Sequence, residues 1–266
     1  MRAFASAELG PGIFELPADE VHLWHVATIG APLTLSPLLS PDERARAATM
    51  RFGDHRWQYS AVRAALRRVL AGYLHTDPRA IDFSYGRHGR PVLHPRIAGT
   101  GIAFSVSHAG ARGVIAVART AALGVDIERV VDGRRALGVA GRFFAAREAA
   151  ALRALSDGQL PYGFTAVWTR KEAYVKALGQ GLTLPLADFE VTSSPNPPAV
   201  VRCAASDPHA PEAWTLTEIV CLPGHVCTVA VAHRVGEAPP QGTHVRELSI
   251  AAIRDEGWER SSGIAC

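Results

Sequence analysis

Trp168-Thr169-Arg170-Lys171-Glu172-Ala173-Tyr174-Val175-Lys176 contains both lysines of a 266-residue chain whose positive charge is otherwise carried by arginine. Lysine is a compact point charge able to give or lose a proton, whereas arginine is a planar fork that stays charged. Two lysines this close in an arginine-rich chain mark a place where an ammonium serves chemistry; the bland alternative is chance clustering. The stretch lies in a helix reading from about residue 162 to 178, followed by Gly179 and Gly181, as glycines often follow a helix C-terminus. Strand candidates come next at 189–192, 214–220 and 226–232.

The first half of the chain shows the same order. After an early strand at 21–26, Ser40-Pro41-Asp42-Glu43 reads as a helix start, with Ser at N-cap, Pro at N1 and Glu at N3. A longer helix spans about 54 to 74, with Val62, Leu66, Val69 and Leu70 spaced for one buried face. Strand candidates follow at 81–85, 102–107 and 114–118. A helix followed by three antiparallel strands, twice, predicts an α+β fold made by duplication. Residues 1–121 and 122–235 would form two pseudo-symmetric subdomains, each a helix packed on a small, mainly antiparallel sheet. The groove between them is the expected ligand site. Residues 236–242 are linker-like, and 236–266 reads as a loosely packed or flexible extension.

Composition narrows the class. A formal net charge of +3 is too weak to argue for nucleic acid. There is no signal-peptide core at the N-terminus and no apolar run of about eighteen residues for a membrane span. Cys203, Cys221, Cys227 and Cys266 lack metal-site spacing, so a reduced, cytoplasmic protein is expected.

Within 123–128, Val125 and Ile127 point one way along a strand while Asp126 and Glu128 point the other, with Cα atoms roughly 7 Å apart. The pair is either a solvated face or a cation site; hard carboxylate oxygens in that arrangement suit Mg²⁺. Glu172 is a third carboxylate, and Trp168, Glu172 and Lys176 share one helical stripe. A surface ion pair is the alternative for Glu172 and Lys176. Ser107 and His108 end a strand at a turn. They are neighbours without a Gly-x-Ser-x-Gly elbow, which argues against a hydrolase and for phosphate contact. Gly89-Arg90-Pro91 is either a simple turn or a loop offering a cation to phosphate.

Gly124-Val125-Asp126-Ile127-Glu128, followed about forty residues later by Trp168 to Lys176, closely resembles the two signature motifs of 4′-phosphopantetheinyl transferases. The segments containing Arg90 and Ser107-His108, the helix start at Ser40 to Arg44, Arg51-Phe52 and Arg142-Phe143-Phe144 resemble the larger, Sfp-type branch. The Trp-x-x-Lys-Glu-Ala form is similar to the subgroup serving polyketide and nonribosomal peptide carriers. The resemblance implies transfer of phosphopantetheine from coenzyme A to a serine of an apo carrier protein, with release of adenosine 3′,5′-bisphosphate. It implies Asp126, Glu128 and Glu172 around Mg²⁺ or Mn²⁺. Glu172 is then the base, directly or through water, and Lys176 the group that meets the leaving phosphate. Lys171, Arg90, His108 and Ser107 would contact coenzyme A together with Asp126 and Lys176, and Arg44, Arg51 or Arg56 the 3′-phosphate. Carriers are acidic, so the arginine-rich turn at 130–135 is a docking edge or a plain solvated loop. A groove complete within one chain favours a monomer. Two rivals remain from sequence: a non-catalytic coenzyme A binder and a metal-dependent nucleotide hydrolase.

Overall fold

The computed structural model describes residues 5–6, 13–28, 37–86, 89–131, 133–193, 199–219, 222–233 and 242–248. In chain order the elements are β1 (Ala5–Ser6), β2 (Glu20–Ala27), α1 (Pro41–Ala48), α2 (Gly53–Leu74), β3 (Phe83–Tyr85), β4 (Pro91–Leu93), α3 (Pro95–Ala98), β5 (Ile102–Ala109) and β6 (Arg112–Arg119). Then come β7 (Leu123–Arg129), α4 (Gly133–Phe143), α5 (Ala146–Arg153), α6 (Leu160–Leu178), β8 (Phe189–Val191), β9 (Val201–Ala204), α7 (Ala210–Ala213), β10 (Trp214–Ile219), β11 (His225–Ala232) and β12 (Gly242–Leu248).

A repeat runs through this order, but not as a helix followed by three antiparallel strands, because β3 and β8 leave the main sheets to pair with β4 and β9. Each half supplies one strand, then helices, then a two-stranded ribbon (β3–β4, β8–β9), then a hairpin (β5–β6, β10–β11). The leading strand returns to pair antiparallel with the second strand of the hairpin. Thus β2 lies beside β6 and β7 beside β11, giving the matched orders β2-β6-β5 and β7-β11-β10.

Alternation along the strands builds three cores. Ile115 and Val117 of β6 pack with Leu66, Val69 and Leu70 of α2. On the other face of β6, Val114 and Ala116 meet Val125 and Ile127 of β7 and Val229 of β11. Tyr174 and Val175 of α6 pack with Phe189, Trp214 and Leu216 in the second half. Each such buried aliphatic side chain contributes about 1.5–3 kcal/mol, so the middle core binds the two sheets firmly.

Two local expectations hold in detail. At α1, Ser40 N–H donates to Glu43 Oε2 at 2.8 Å and Glu43 N–H to Ser40 Oγ at 3.3 Å, a complete capping box. Glu43 is itself buried and accepts from Arg67 Nε at 2.7 Å. Helix α6 ends at Gly179, whose φ of 70° is a left-handed C-cap that favours glycine.

One expectation is corrected. Part of the supposed loose extension is sheet: β12 pairs parallel with β2, Thr243 opposite Val21, and β1 pairs with β12. Its residues Thr243 to Leu248 satisfy a strand edge of β2 that would otherwise carry unpaired backbone groups. Gly242 of the expected linker already belongs to β12, while 236–241, residues 249–266, Cys221 and Cys266 lie outside the described residues. Cys227 is a buried free thiol and Cys203 an exposed one. Among the described residues, no helix is long and apolar enough to cross a membrane.

Candidate active site

The site forms where α6 crosses the face of β7 that turns away from the middle core. The crossing is close because Gly124 has no side chain: a Cβ there would lie 1.9 Å from the Ala173 carbonyl oxygen and 2.6 Å from Ala177 N. Asp126 and Glu128, two and four residues on, therefore face the stripe Trp168, Glu172, Lys176. Strand β5 completes the floor: Val125 N–H donates to Ser105 Oγ at 3.0 Å, and Ser107 Oγ donates to Asp126 Oδ1 at 2.9 Å.

A cavity of about 380 Å³ opens here, lined by Ser107, His108, Asp126, Glu128, Trp168, Glu172 and Lys176 with Val106. A second cavity of about 260 Å³ shares Val106, Glu172 and Lys176 and extends past Phe104 and Val175 to Gly89, Arg90 and Pro91. Lys176 Nζ donates to Asp126 Oδ1 at 2.6 Å and to Ser107 Oγ at 2.9 Å.

Three carboxylates sharing this space are electrostatically costly. Burial, then the charges of Asp126 and Glu172, push Glu128 up to about 7, with Lys176 opposing. Burial, then Asp126, raises Glu172. Burial raises Asp126 despite Lys176 and Ser107. Burial lowers His108, and Lys176 adds to that lowering. Asp126 Oδ2 and Glu172 Oε1 are both buried without a hydrogen-bond partner. Buried oxygens without a partner call for an explanation such as an ion. As the side chains stand, no group of three or more His, Cys, Asp or Glu among the described residues is arranged to hold a metal. The Lys176 ammonium is the cation beside Asp126.

Of the residues singled out in the sequence, Asp126, Glu128, Glu172, Lys176, Ser107 and His108 meet in one groove. Arg90 lines the second cavity, but its guanidinium is turned to backbone carbonyls. Arg44 is exposed and donates to the Leu39 carbonyl; it does not line either cavity. Arg51 is exposed at the head of α2 and lines neither. That end of α2 nevertheless approaches the groove, since His55 acts on the charge of His108. His55 was not singled out in the sequence. Its signal is the α2 stripe His55, Tyr59, Arg63 at spacing four, with Arg46 of α1 stacked 5.8 Å over the Tyr59 ring.

A family model described as the 4′-phosphopantetheinyl transferase superfamily (ACPS) matches residues 122–230, the half carrying β7 and α6. Across nearly the whole chain, the 4′-phosphopantetheinyl transferase HetI of Nostoc sp. (strain PCC 7120) is 37% identical over 225 residues, 84% of this chain and 91% of that one. The chain belongs to the 4′-phosphopantetheinyl transferase family. Its Sfp-type character is shared with the 4′-phosphopantetheinyl transferase Sfp of Bacillus subtilis (strain 168), 30% identical over 63% of this chain and 70% of that one. The crystal structure of Thermotoga maritima holo-[acyl-carrier-protein] synthase (AcpS) covers 42% of this chain and 63% of its own, at 20% identity and a TM-score of 0.34. The chain is thus a transferase that moves phosphopantetheine to carrier proteins, and nothing among its relatives favours a passive binder or a hydrolase.

Lys171 of this transferase requires a correction. It does not reach the groove but is fully buried on the opposite side of α6. Its Nζ donates to the Phe189 carbonyl at 2.6 Å and the Leu186 carbonyl at 2.7 Å, and pairs with Glu148 Oε2 at 2.8 Å. The Phe189 ring lies 4.2 Å from the ammonium. Glu148 in turn accepts from the N–H groups of Ala145 and Val191. Three acceptors around one nitrogen match an ammonium and not a planar guanidinium, which explains lysine here in structural terms. Lys171→Met should leave Glu148 charged and unpaired and destabilise the fold by about 3–5 kcal/mol in urea denaturation. A loss below about 1 kcal/mol would show that the pair is dispensable.

Proposed function

We propose that the transferase joins the 4′-phosphopantetheine of coenzyme A to a serine hydroxyl of apo acyl or peptidyl carrier proteins of polyketide and nonribosomal peptide assembly. Fatty-acid carriers are a further class to test, and adenosine 3′,5′-bisphosphate is the second product. The observation that carries this reading is the meeting of Asp126, Glu128, Glu172 and Lys176 in one groove, with two buried carboxylate oxygens lacking partners.

That donor set fits a hard divalent ion, Mg²⁺ or Mn²⁺, which Asp126, Glu128 and Glu172 would hold. When bound, the ion supplies charge neutralisation at the pyrophosphate oxygens. The chain's own residues do the rest. The serine oxygen bonds to the phosphorus carrying pantetheine as the anhydride P–O bond breaks toward adenosine bisphosphate. Glu172 takes the serine proton directly or, since an ion on its carboxylate would weaken it as a base, through a water. The Lys176 ammonium, held by Asp126 and Ser107, stands ready for charge developing on the leaving phosphate. His108, exposed at the rim of the groove with its proton affinity lowered, offers a ring nitrogen for one hydrogen bond at the phosphates. Trp168 closes the apolar wall, stacked on Phe164 at 6.0 Å.

In this reading the carrier docks at 130–135. Support comes from exposed Val131 two residues after exposed Arg129 in this segment. An apolar side chain next to arginine suits an acidic helical partner. The side chains of Arg134 and Arg135 lie outside the described residues. The chain is read as a cytoplasmic monomer, because both walls of the groove come from one chain.

The deciding experiment is intact-protein mass spectrometry of an apo carrier incubated with the transferase, coenzyme A and Mg²⁺. A gain of one phosphopantetheine unit, lost with EDTA or when the carrier serine is alanine, supports the reading. No gain across several acyl and peptidyl carriers sinks it.

Metal stabilisation should depend on pH. Glu128 has its folded pKa raised from 4.5 to about 7, so its ionisation costs folding free energy as pH rises through that window. A divalent ion needs these carboxylates ionised and offsets that cost. The rise in Tm caused by Mg²⁺ should therefore be larger at pH 8 than at pH 6 in thermal-shift assays. An equal or larger rise at pH 6 would place the ion elsewhere.

A further inference from the structure

Arg90 stands at the junction of the two halves and spends its guanidinium on backbone. Its Nη1 donates to the carbonyls of Lys176 and, at 3.2 Å, Ala177 in the last turn of α6. Its Nη2 donates to the Leu123 carbonyl at 2.8 Å, where β7 begins, and to the Phe104 carbonyl of β5 at 3.4 Å. The four terminal N–H groups thus meet four carbonyls from three elements. The last carbonyls of a helix form its negative pole, so a cation there complements the dipole; the Lys176 carbonyl also accepts from the Gly179 N–H at 3.2 Å. One of those carbonyls belongs to the residue whose ammonium contacts Asp126 and Ser107.

We infer that Arg90 is a positioning residue for Lys176, clasping the last turn of α6 to β7 and β5, and is not a phosphate ligand. The inference rests on the transferase reading of the groove. It accounts for arginine at this position: four acceptors in two directions match a planar fork, whereas an ammonium offers three donors on one point.

The test compares wild type, Arg90→Lys, Lys176→Gln and the double variant. Carrier modification is measured at saturating coenzyme A, with coenzyme A affinity by calorimetry and amide exchange at 177–179 by mass spectrometry. The clasp predicts that Arg90→Lys keeps coenzyme A affinity within about 3-fold, lowers kcat about tenfold or more, and speeds exchange at 177–179. In the Lys176→Gln background the same change should cost almost nothing further, because its effect passes through Lys176. Two outcomes overturn the inference. One is a tenfold or greater loss of affinity with kcat intact, which would make Arg90 a phosphate ligand. The other is an equal loss of kcat in both backgrounds, which would make it general scaffolding. If Arg90→Lys does not fold, exchange in wild type decides: protection at 177–179 that persists on saturation with coenzyme A supports the clasp, and protection lost on saturation overturns it. If wild type modifies no carrier, the transferase reading fails by itself, while the exchange data still report on the clasp.

Discussion

Glu172→Gln is expected to lower kcat/KM for carrier modification by about 10²- to 10⁴-fold, the range for removal of a positioned base. The substitution keeps shape and hydrogen-bonding length but removes a charge from a group of three carboxylates in which Glu128 is already pushed up to about 7. Its effect on stability should have the opposite sign. Glu172 has its proton affinity raised by burial and by Asp126, so its ionised form is disfavoured in the folded state. A neutral amide relieves that repulsion, and the metal-free variant should melt at a higher temperature than wild type at pH 8. The stabilisation by Mg²⁺ should shrink at the same time. Loss of activity with higher apo stability is the pattern of a residue kept for chemistry at a cost to the fold. A variant with a lower Tm and unchanged turnover would remove Glu172 from the base and ligand roles together.

Gly124→Ala is the second large effect. An added methyl would overlap the Ala173 carbonyl oxygen at 1.9 Å and crowd Ala177 N at 2.6 Å. Both obstacles are backbone, so no rotamer change relieves them; α6 must move away from β7. Overpacking of this kind costs about 3 kcal/mol or more, measurable as a lower denaturation midpoint. The displacement also separates Glu172 and Lys176 from Asp126 and Glu128, so activity should fall even at temperatures where the variant stays folded. A shift of about 1 Å at a reacting group can cost about 100-fold. Wild-type stability and turnover in this variant would mean that the close crossing of α6 over β7 does not exist.

Much of this was legible from local patterns. The two long helices and the hairpin strands follow from apolar spacing, and the repeat follows from their order. Acidic alternation and the helical stripe each aim their residues to one side, but the convergence of β7 with the 168–176 helix came from the resemblance to the paired transferase motifs. Other features escaped because their causes are tertiary. Lys171 and Lys176 look alike in sequence, yet a five-residue step of about 500° puts them on different faces of the helix, one in the core and one in the groove. Arg90 offers a cation in a turn, and only the packed fold shows that its partners are carbonyls. The short strands β4 and β9, three and four residues long, carry too few positions for alternation to show. β12 follows a linker-like stretch rich in Gly and Pro, and its parallel partner β2 lies more than two hundred residues earlier. The metal itself is read from donor chemistry, and the docking edge from charge and exposure.

The matched halves also have an unequal history. β2 and β7 hold equivalent places, each turning one face to the long helix of its own half. On β2 that face carries Trp24 and Val26, both packed into the α2 core. On β7 it carries Asp126 and Glu128, and the space between strand and helix is left open as the groove. The two units are thus used unequally: β2 keeps the face toward its helix filled, whereas β7 leaves that face open, and β5 of the first half adds Ser107 and His108 to the same groove. Such a chain presents one workplace and not two related by symmetry, so an incoming protein substrate meets a single productive orientation.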